Sequence, residues 1–177
     1  MKAAIRFLRE DALGSDTYGT RADAIYVGGV SAGAIMASFS GALDNEDNLT
    51  DPVINFLKAN NGVEGNSSSN TQISSDVQGV FSLSGAVTDA GWIDANSAPI
   101  YAAHEEFDTV VPCSFSMASS GLFLAGGCDM VPAALNSGLP AELFLVEGSD
   151  EHIGYTIPQF IDIFDGAASF IAEQLPK

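Results

Sequence analysis

Positive charge is scarce in this chain. Six lysines and arginines stand against 23 aspartates and glutamates, a net charge of −17 over 177 residues. That excludes nucleic acid and anionic membrane as partners, because both are held by basic side chains. It also disfavours strongly anionic substrates, leaving neutral small molecules as the easier guests. Two cysteines, Cys113 and Cys128, are too few for a disulfide scaffold or a complete structural zinc site. They bracket a Ser- and Gly-rich segment that reads as a loop, so a bridge between them is sterically feasible. Closing a loop of about 15 residues would stabilise the fold by roughly 3 kcal/mol. Two free thiols are the alternative, and a bridge would suit an exported protein. No run of 18 or more apolar residues occurs, which excludes a spanning helix and predicts a soluble protein. The first ten residues are charged throughout and lack the apolar centre of a signal peptide, so the compartment is left open. Only two histidines are present, His104 and His152. Any imidazole chemistry must use one of them.

What the chain does contain is a strand-to-helix junction over residues 24–37. Ile25, Tyr26 and Val27 have the composition of a buried strand. Gly28 and Gly29 follow, then Ser31, then a Gly/Ala-rich helix running to about Ala42. Gly29-Val30-Ser31-Ala32-Gly33 at such a junction is the G-x-S-x-G nucleophile elbow in its confirming context. A serine on so sharp a turn sits in strained backbone geometry, and its neighbours two positions away must be tiny. Its hydroxyl is then lifted clear of the sheet, and the helix N-terminus points free N–H groups at incoming negative charge. Ala32 would give one of those N–H groups to a tetrahedral oxyanion. Taken alone, the same five residues also suit an ordinary flexible turn, so later residues must decide.

Along the chain, Lys2–Leu13 reads as an amphipathic helix, with Ile5, Leu8 and Ala12 on one side and Arg6, Arg9, Glu10 and Asp11 largely on the other. The Asn- and Ser-rich stretch from Asp44 to Asp76 reads as an insertion that packs one small helix near the site and leaves a mobile loop. Val77–Leu83 and Ala98–Ala103 read as the second and third strands, Glu142–Val146 as the fourth. Asp129–Asn136 reads as a helix with Asp129 as its cap and Pro132 in its first turn. Thr156 and Gln159 form a capping box opening the last helix, with Phe160, Phe164, Ala167, Ile171 and Leu175 on its apolar face. The alternation predicts an α/β fold over residues 1–177: a short, mostly parallel sheet with helices on both faces. In such sheets chemistry gathers beyond the carboxyl ends of the strands.

Three polar residues share that position. Ser31 ends the first strand, Asp108 lies just past the third and His152 just past the fourth. The general base is His104 or His152; the orienting carboxylate is Asp108, in competition with Glu106, Asp89 and Asp150. The order Ser…Asp…His matches an α/β-hydrolase. Residues 2–9 before the elbow, Gly29–Gly33, His104 with 107–112 (FDTVVP), and Gly148 with His152 together resemble the carboxylesterase/lipase branch of the α/β-hydrolase superfamily. The likeness covers most of the chain apart from the insertion.

That resemblance implies that Ser31 attacks an ester carbonyl, His152 takes and returns its proton, Asp108 holds the imidazole, and His104 is not catalytic. Phe115, Met117, Leu122 and Phe123 are candidates for an acyl pocket, with core or lid packing as the alternative. Neither a metal nor an organic cofactor is required. Only the carboxyl-terminal half of the superfamily's usual sheet has a counterpart here, so the loop supplying a further oxyanion N–H is missing. Losing one such donor typically costs about 10²–10³ in turnover. The elbow strand would then be an apolar open edge, and a second copy is expected to cover it across a two-fold axis. The implied activity is hydrolysis of neutral short-acyl esters, a peptidase or polyester depolymerase being a variant of it. The alternative is a catalytically weak half-domain remnant with a binding or structural role.

Overall fold

The computed structural model describes residues 1–45 and 47–175; Glu46, in the stretch read as opening the insertion, and residues 176–177 lie outside the described residues. Helix α1 (Lys2–Leu13) leads through a loop to β1 (Tyr26–Val30), followed by α2 (Ala32–Ala42), α3 (Asp51–Ala59) and a 3-10 turn at Gly62–Glu64. Then come β2 (Gly79–Leu83), β3 (Ala86–Val87), a 3-10 turn at Ala90–Trp92, β4 (Ile100–Glu105), β5 (Ser116–Met117) and β6 (Phe123–Gly126). The chain ends with α4 (Gly127–Asn136), β7 (Ala141–Val146) and α5 (Ile157–Gln174).

Strands β1, β2, β4 and β7 form one parallel sheet in the order β1-β2-β4-β7. β4 is buried at every position, as an internal strand covered on both faces must be. Its residues alternate between two cores. Ile100 and Ala102 join Ile5 of α1, Ala37 of α2 and Met130 of α4. Tyr101 and Ala103 join Ile163, Ala167 and Phe170 of α5. Helices α1, α2 and α4 therefore lie on one face and α5 on the other, the α/β layering that the sequence predicts. Because the four strands run parallel, the segments after β1, β4 and β7 emerge along the same edge. β1 is the terminal strand, paired with β2 on one side, and Gly28 and Val30 are exposed. Among the described residues, no helix is long and apolar enough to cross a membrane.

Four local expectations are corrected. Arg6 and Arg9 are buried, 0% and 7% exposed, because the insertion folds back over α1. Arg6 pairs with Glu64 and donates to Ser68 at 2.9 Å; Arg9 donates to the carbonyls of Ala22, Ser74 and Asp76. A buried guanidinium is tolerated when its donors are met in this way. Helix α5 is rotated from the expected face: Ile163, Ala167 and Phe170 are buried, while Phe164 and Leu175 are exposed. Apolar residues occupy more than one side of α5, so periodicity alone does not choose between them; the sheet does. Helix α4 begins at Gly127 with Gly126 at its cap, and Pro132 lies inside it. Asp129 instead receives the N–H of Phe115. Residues 112–128 are more than a loop: β5 and β6 form a hairpin that joins β3 in a small antiparallel sheet, β3-β6-β5. Two of those strands have only two residues, too short to show a period of two. Helix α3 buries none of its side chains and packs against the 3-10 turn at residues 62–64. Cys113 and Cys128 are bridged, their Cα atoms 5.0 Å apart.

Candidate active site

Ser31 occupies the cap position between β1 and α2 with φ 52° and ψ −120°, a backbone state that strains any residue with a Cβ. Such a conformation costs on the order of 1–3 kcal/mol and persists only where the surroundings impose it. Its own N–H donates to the carbonyl of Leu83 at 2.9 Å, which ties the turn to β2. A Cβ on Gly29 would stand 2.4 Å from the carbonyl carbon of Gly33, so residue 29 must be glycine. Gly33 itself has open space where a Cβ would go, which corrects the expectation that both flanking glycines are sterically required. No side chain caps α2. Its first N–H groups, Ala32's among them, therefore remain available to an anion.

The Ser31 hydroxyl donates to Nε2 of His152 at 2.8 Å, and Nδ1 of His152 donates to Oδ2 of Asp108 at 2.6 Å. A carboxylate only accepts, so the proton of the neutral ring sits on Nδ1 and leaves Nε2 free to receive the serine proton. Asp108 is held from its other oxygen, because Oδ1 accepts the N–H groups of Val110 and Val111 at 2.8 and 3.0 Å. Its side chain is fully buried, while that of His152 retains 15% exposure. The three residues named from the sequence thus meet in one hydrogen-bonded line beyond the carboxyl edge of the sheet. Their competitors do other work. Glu106 accepts the N–H of Gly148, Asp89 that of Gly91, and Asp150 is exposed.

His104 is buried on the α4 face. The Gly127 N–H donates to its Nδ1 at 3.2 Å, so Nε2 carries the proton and donates to the carbonyl of Val111 at 2.8 Å. Burial pushes its pKa below the usual histidine value, and the ring stays neutral. It ties the Asp108 loop to α4. Phe115, Met117, Leu122 and Phe123 are all exposed, Phe115 and Phe123 stacked on one another. A cavity of about 560 Å³ beside Phe115 is lined by Thr88, Asp89, Ala125, Asp129 and Pro132, and by none of Ser31, Asp108 and His152.

A polar cluster on the α5 face goes unread in the sequence. Ser84, Glu105 and Tyr155 are buried together behind the His152 loop, and burial raises the Tyr155 phenol so that it stays protonated. Two further non-glycine residues with left-handed backbone lie here, Ser84 (φ 48°) and Ile153 (φ 62°). The available signal was Glu105 itself, a carboxylate continuing an apolar strand directly after His104.

Scanned against protein-family models and curated proteins, the sequence matches none. Solved structures do match the fold. A truncated form of a carbohydrate esterase from gut microbiota is 20% identical with a TM-score of 0.66, covering 98% of this chain and 66% of that one. The propionate-bound esterase Est2 of the planctomycete Thermogutta terrifontis is 17% identical at 0.69, covering 99% of this chain and 65% of its own. A bifunctional GH43-CE protein of Bacteroides eggerthii is 20% identical at 0.67, with 99% of this chain and 26% of that chain covered. Esterase 2 of Thermogutta terrifontis has also been solved phosphorylated by paraoxon. The chain spans slightly under two thirds of the length of the first two and about a quarter of the third. Likeness at these identities carries the fold alone. The chain therefore has the α/β fold of these esterases over part of their length, and its chemistry has to be argued from the site.

Proposed function

We propose that this chain is a serine carboxylesterase acting on neutral, short-acyl esters through Ser31, His152 and Asp108. The observation that carries the reading is the unbroken line from Ser31 Oγ through His152 to Asp108, at 2.8 and 2.6 Å, mounted on a strained elbow. His152 Nε2 takes the hydroxyl proton as Ser31 Oγ bonds to the ester carbonyl carbon. The resulting oxyanion faces the Ala32 N–H at the start of α2. Asp108 stabilises the imidazolium by its fixed charge and does not itself take the proton. Collapse breaks the bond to the alkoxy group, which leaves with the proton from Nε2. Water then repeats the sequence on the acyl-enzyme, releasing the acid and restoring Ser31.

Charge supports neutral guests. The His152 loop carries Glu147, Asp150 and Glu151, whereas the basic residues of the described chain lie in α1, at position 21 and in α3. The esterase neighbours support the same reaction class. One observation favours a second reading, a binding or structural remnant: β1 is the terminal strand of the sheet, paired on one side alone among the described residues. We extend the proposal to a homodimer pairing β1 strands across a two-fold axis, since this strand carries no proline and no charged residue to deter pairing. A monomer by sedimentation at micromolar concentration would remove the dimer.

A fluorophosphonate probe read by mass spectrometry tests the chemistry, alongside hydrolysis of p-nitrophenyl esters of increasing chain length. Labelling at Ser31, lost in His152→Ala, is expected. An unlabelled wild-type protein would leave the remnant reading standing instead.

A further inference from the structure

Glu105 is the last residue of β4, fully buried, and takes no part in the steps above. Strand alternation puts it on the α5 face, opposite His104. Its carboxylate is divided between two loops. Oε1 accepts the N–H of Gly154 at 2.7 Å, two residues beyond His152. Oε2 accepts the hydroxyl of Ser84 at 2.8 Å. The Tyr155 hydroxyl closes the cluster, 2.6 Å from Ser84 Oγ and 3.1 Å from the carbonyl of Ala103.

Each oxygen thus secures a left-handed turn. Ser84 has φ 48°, and Ile153, between His152 and Gly154, has φ 62°. A β-branched residue does not adopt that state on its own account, so the surroundings must hold it there. The contact that follows Ile153 immediately is the one to Glu105. We infer that Glu105 is a positioning residue for His152: it fixes the backbone just after the histidine, so that Nε2 faces Ser31 while Nδ1 faces Asp108. This rests on the hydrolase reading for its consequence in catalysis, and on the hydrogen bonds alone for the anchoring itself.

The chemistry of the cluster supplies a discriminating pair of variants. In Glu105→Gln the carbonyl still accepts from Gly154, and the amide donates to Ser84 Oγ. Ser84 then donates to Tyr155, and Tyr155 to the Ala103 carbonyl, so every bond survives with the hydroxyls reversed. Glu105→Ala loses both anchors. With p-nitrophenyl butyrate, Glu105→Ala should lower kcat about 10²-fold with KM within about threefold, the cost of a misplaced catalytic group. Glu105→Gln should stay within about threefold of wild type. In a His152→Ala background, Glu105→Ala should change the residual rate by less than about threefold, because its effect passes through the imidazole. Amide hydrogen exchange at Gly154 should accelerate in Glu105→Ala and not in Glu105→Gln. Should Glu105→Ala not fold by circular dichroism, Glu105→Asp takes its place, since the shorter carboxylate cannot span both loops; about tenfold loss of kcat is then expected. The inference is overturned if the Ala or Asp variant keeps wild-type kcat, if Gln falls as far as Ala, if the His152 and Glu105 losses multiply, or if exchange at Gly154 is unchanged. Failure of the hydrolase reading is separate: wild-type protein would not label at Ser31, and the exchange experiment would still judge the anchor.

Discussion

Replacing Ser31 by glycine should abolish the proposed activity and give a protein more stable than Ser31→Ala. At φ 52° and ψ −120° a side chain strains the turn by on the order of 1–3 kcal/mol. Glycine removes that strain but enlarges the entropy of the unfolded chain, a loss of about 0.5–1 kcal/mol. The difference is a net gain near 1 kcal/mol, which for a chain of this length corresponds to about 2–4 °C in Tm. The proper reference is Ser31→Ala rather than wild type. Both variants lose the hydrogen bond to His152, so that contribution cancels and only the Cβ at the strained position differs. Scanning calorimetry on the two variants, with urea midpoints as a second measure, provides the comparison. A Ser31→Gly protein that melts at or below Ser31→Ala would refute the reasoning, because the turn would then not be held under strain. The expected combination of inactivity with added stability is the signature of a residue kept for chemistry at the expense of the fold.

The elbow's two glycines should respond differently: Gly29→Ala forces backbone apart and lowers both stability and labelling at Ser31, whereas Gly33→Ala meets open space and folds with a wild-type urea midpoint. Reduction of the Cys113–Cys128 bridge, which spans a separation of 15 residues, should remove roughly 3 kcal/mol of unfolding free energy. An unchanged urea midpoint in dithiothreitol would contradict this. Acid should destabilise the protein through His104. The unfolded histidine takes a proton near pH 6.5 while the buried ring resists it, so stability is full above that pH and falls below it, by at most about 1.4 kcal/mol per pH unit per proton. His104→Gln should flatten the urea-midpoint profile between about pH 6.5 and the folded-state pKa; an unaltered slope would show that the ring is not held neutral.

The large features were legible because they depend on composition that sterics can read. A strand ending in two glycines before a serine and an alanine-rich helix has one sharp geometry open to it, and Ser31 takes it. Parallel strands order themselves by burial, so residues beyond their carboxyl ends fall on one edge whatever the intervening loops do. The interior of the insertion was not legible. Arg6 and Arg9 read as solvent-facing because charge on a helix normally is; Ala22 supplies one nearby acceptor for Arg9, and the return of Glu64, Ser68, Ser74 and Asp76 over α1 supplies the others. The partners from the insertion lie more than fifty residues away, beyond any local pattern.

The cluster behind His152 was missed for a narrower reason. The third strand reads from sequence as ending at Ala103, whereas β4 continues through His104 and Glu105. Cut there, the two residues pass for the start of a polar loop. Kept in the strand, they must obey its alternation, and since both faces of β4 are buried, each must find partners inside the protein. His104 finds them at Val111 and Gly127, which hold the Asp108 loop; Glu105 finds them at Ser84 and Gly154, beside His152. A two-residue shift in a strand boundary leaves the fold untouched, yet it decides whether the residues that hold the Asp108 and His152 loops can be recognised at all. Where a buried parallel strand runs into polar residues at its carboxyl end, the stronger assumption is that the strand continues and that those residues grip the loops above it.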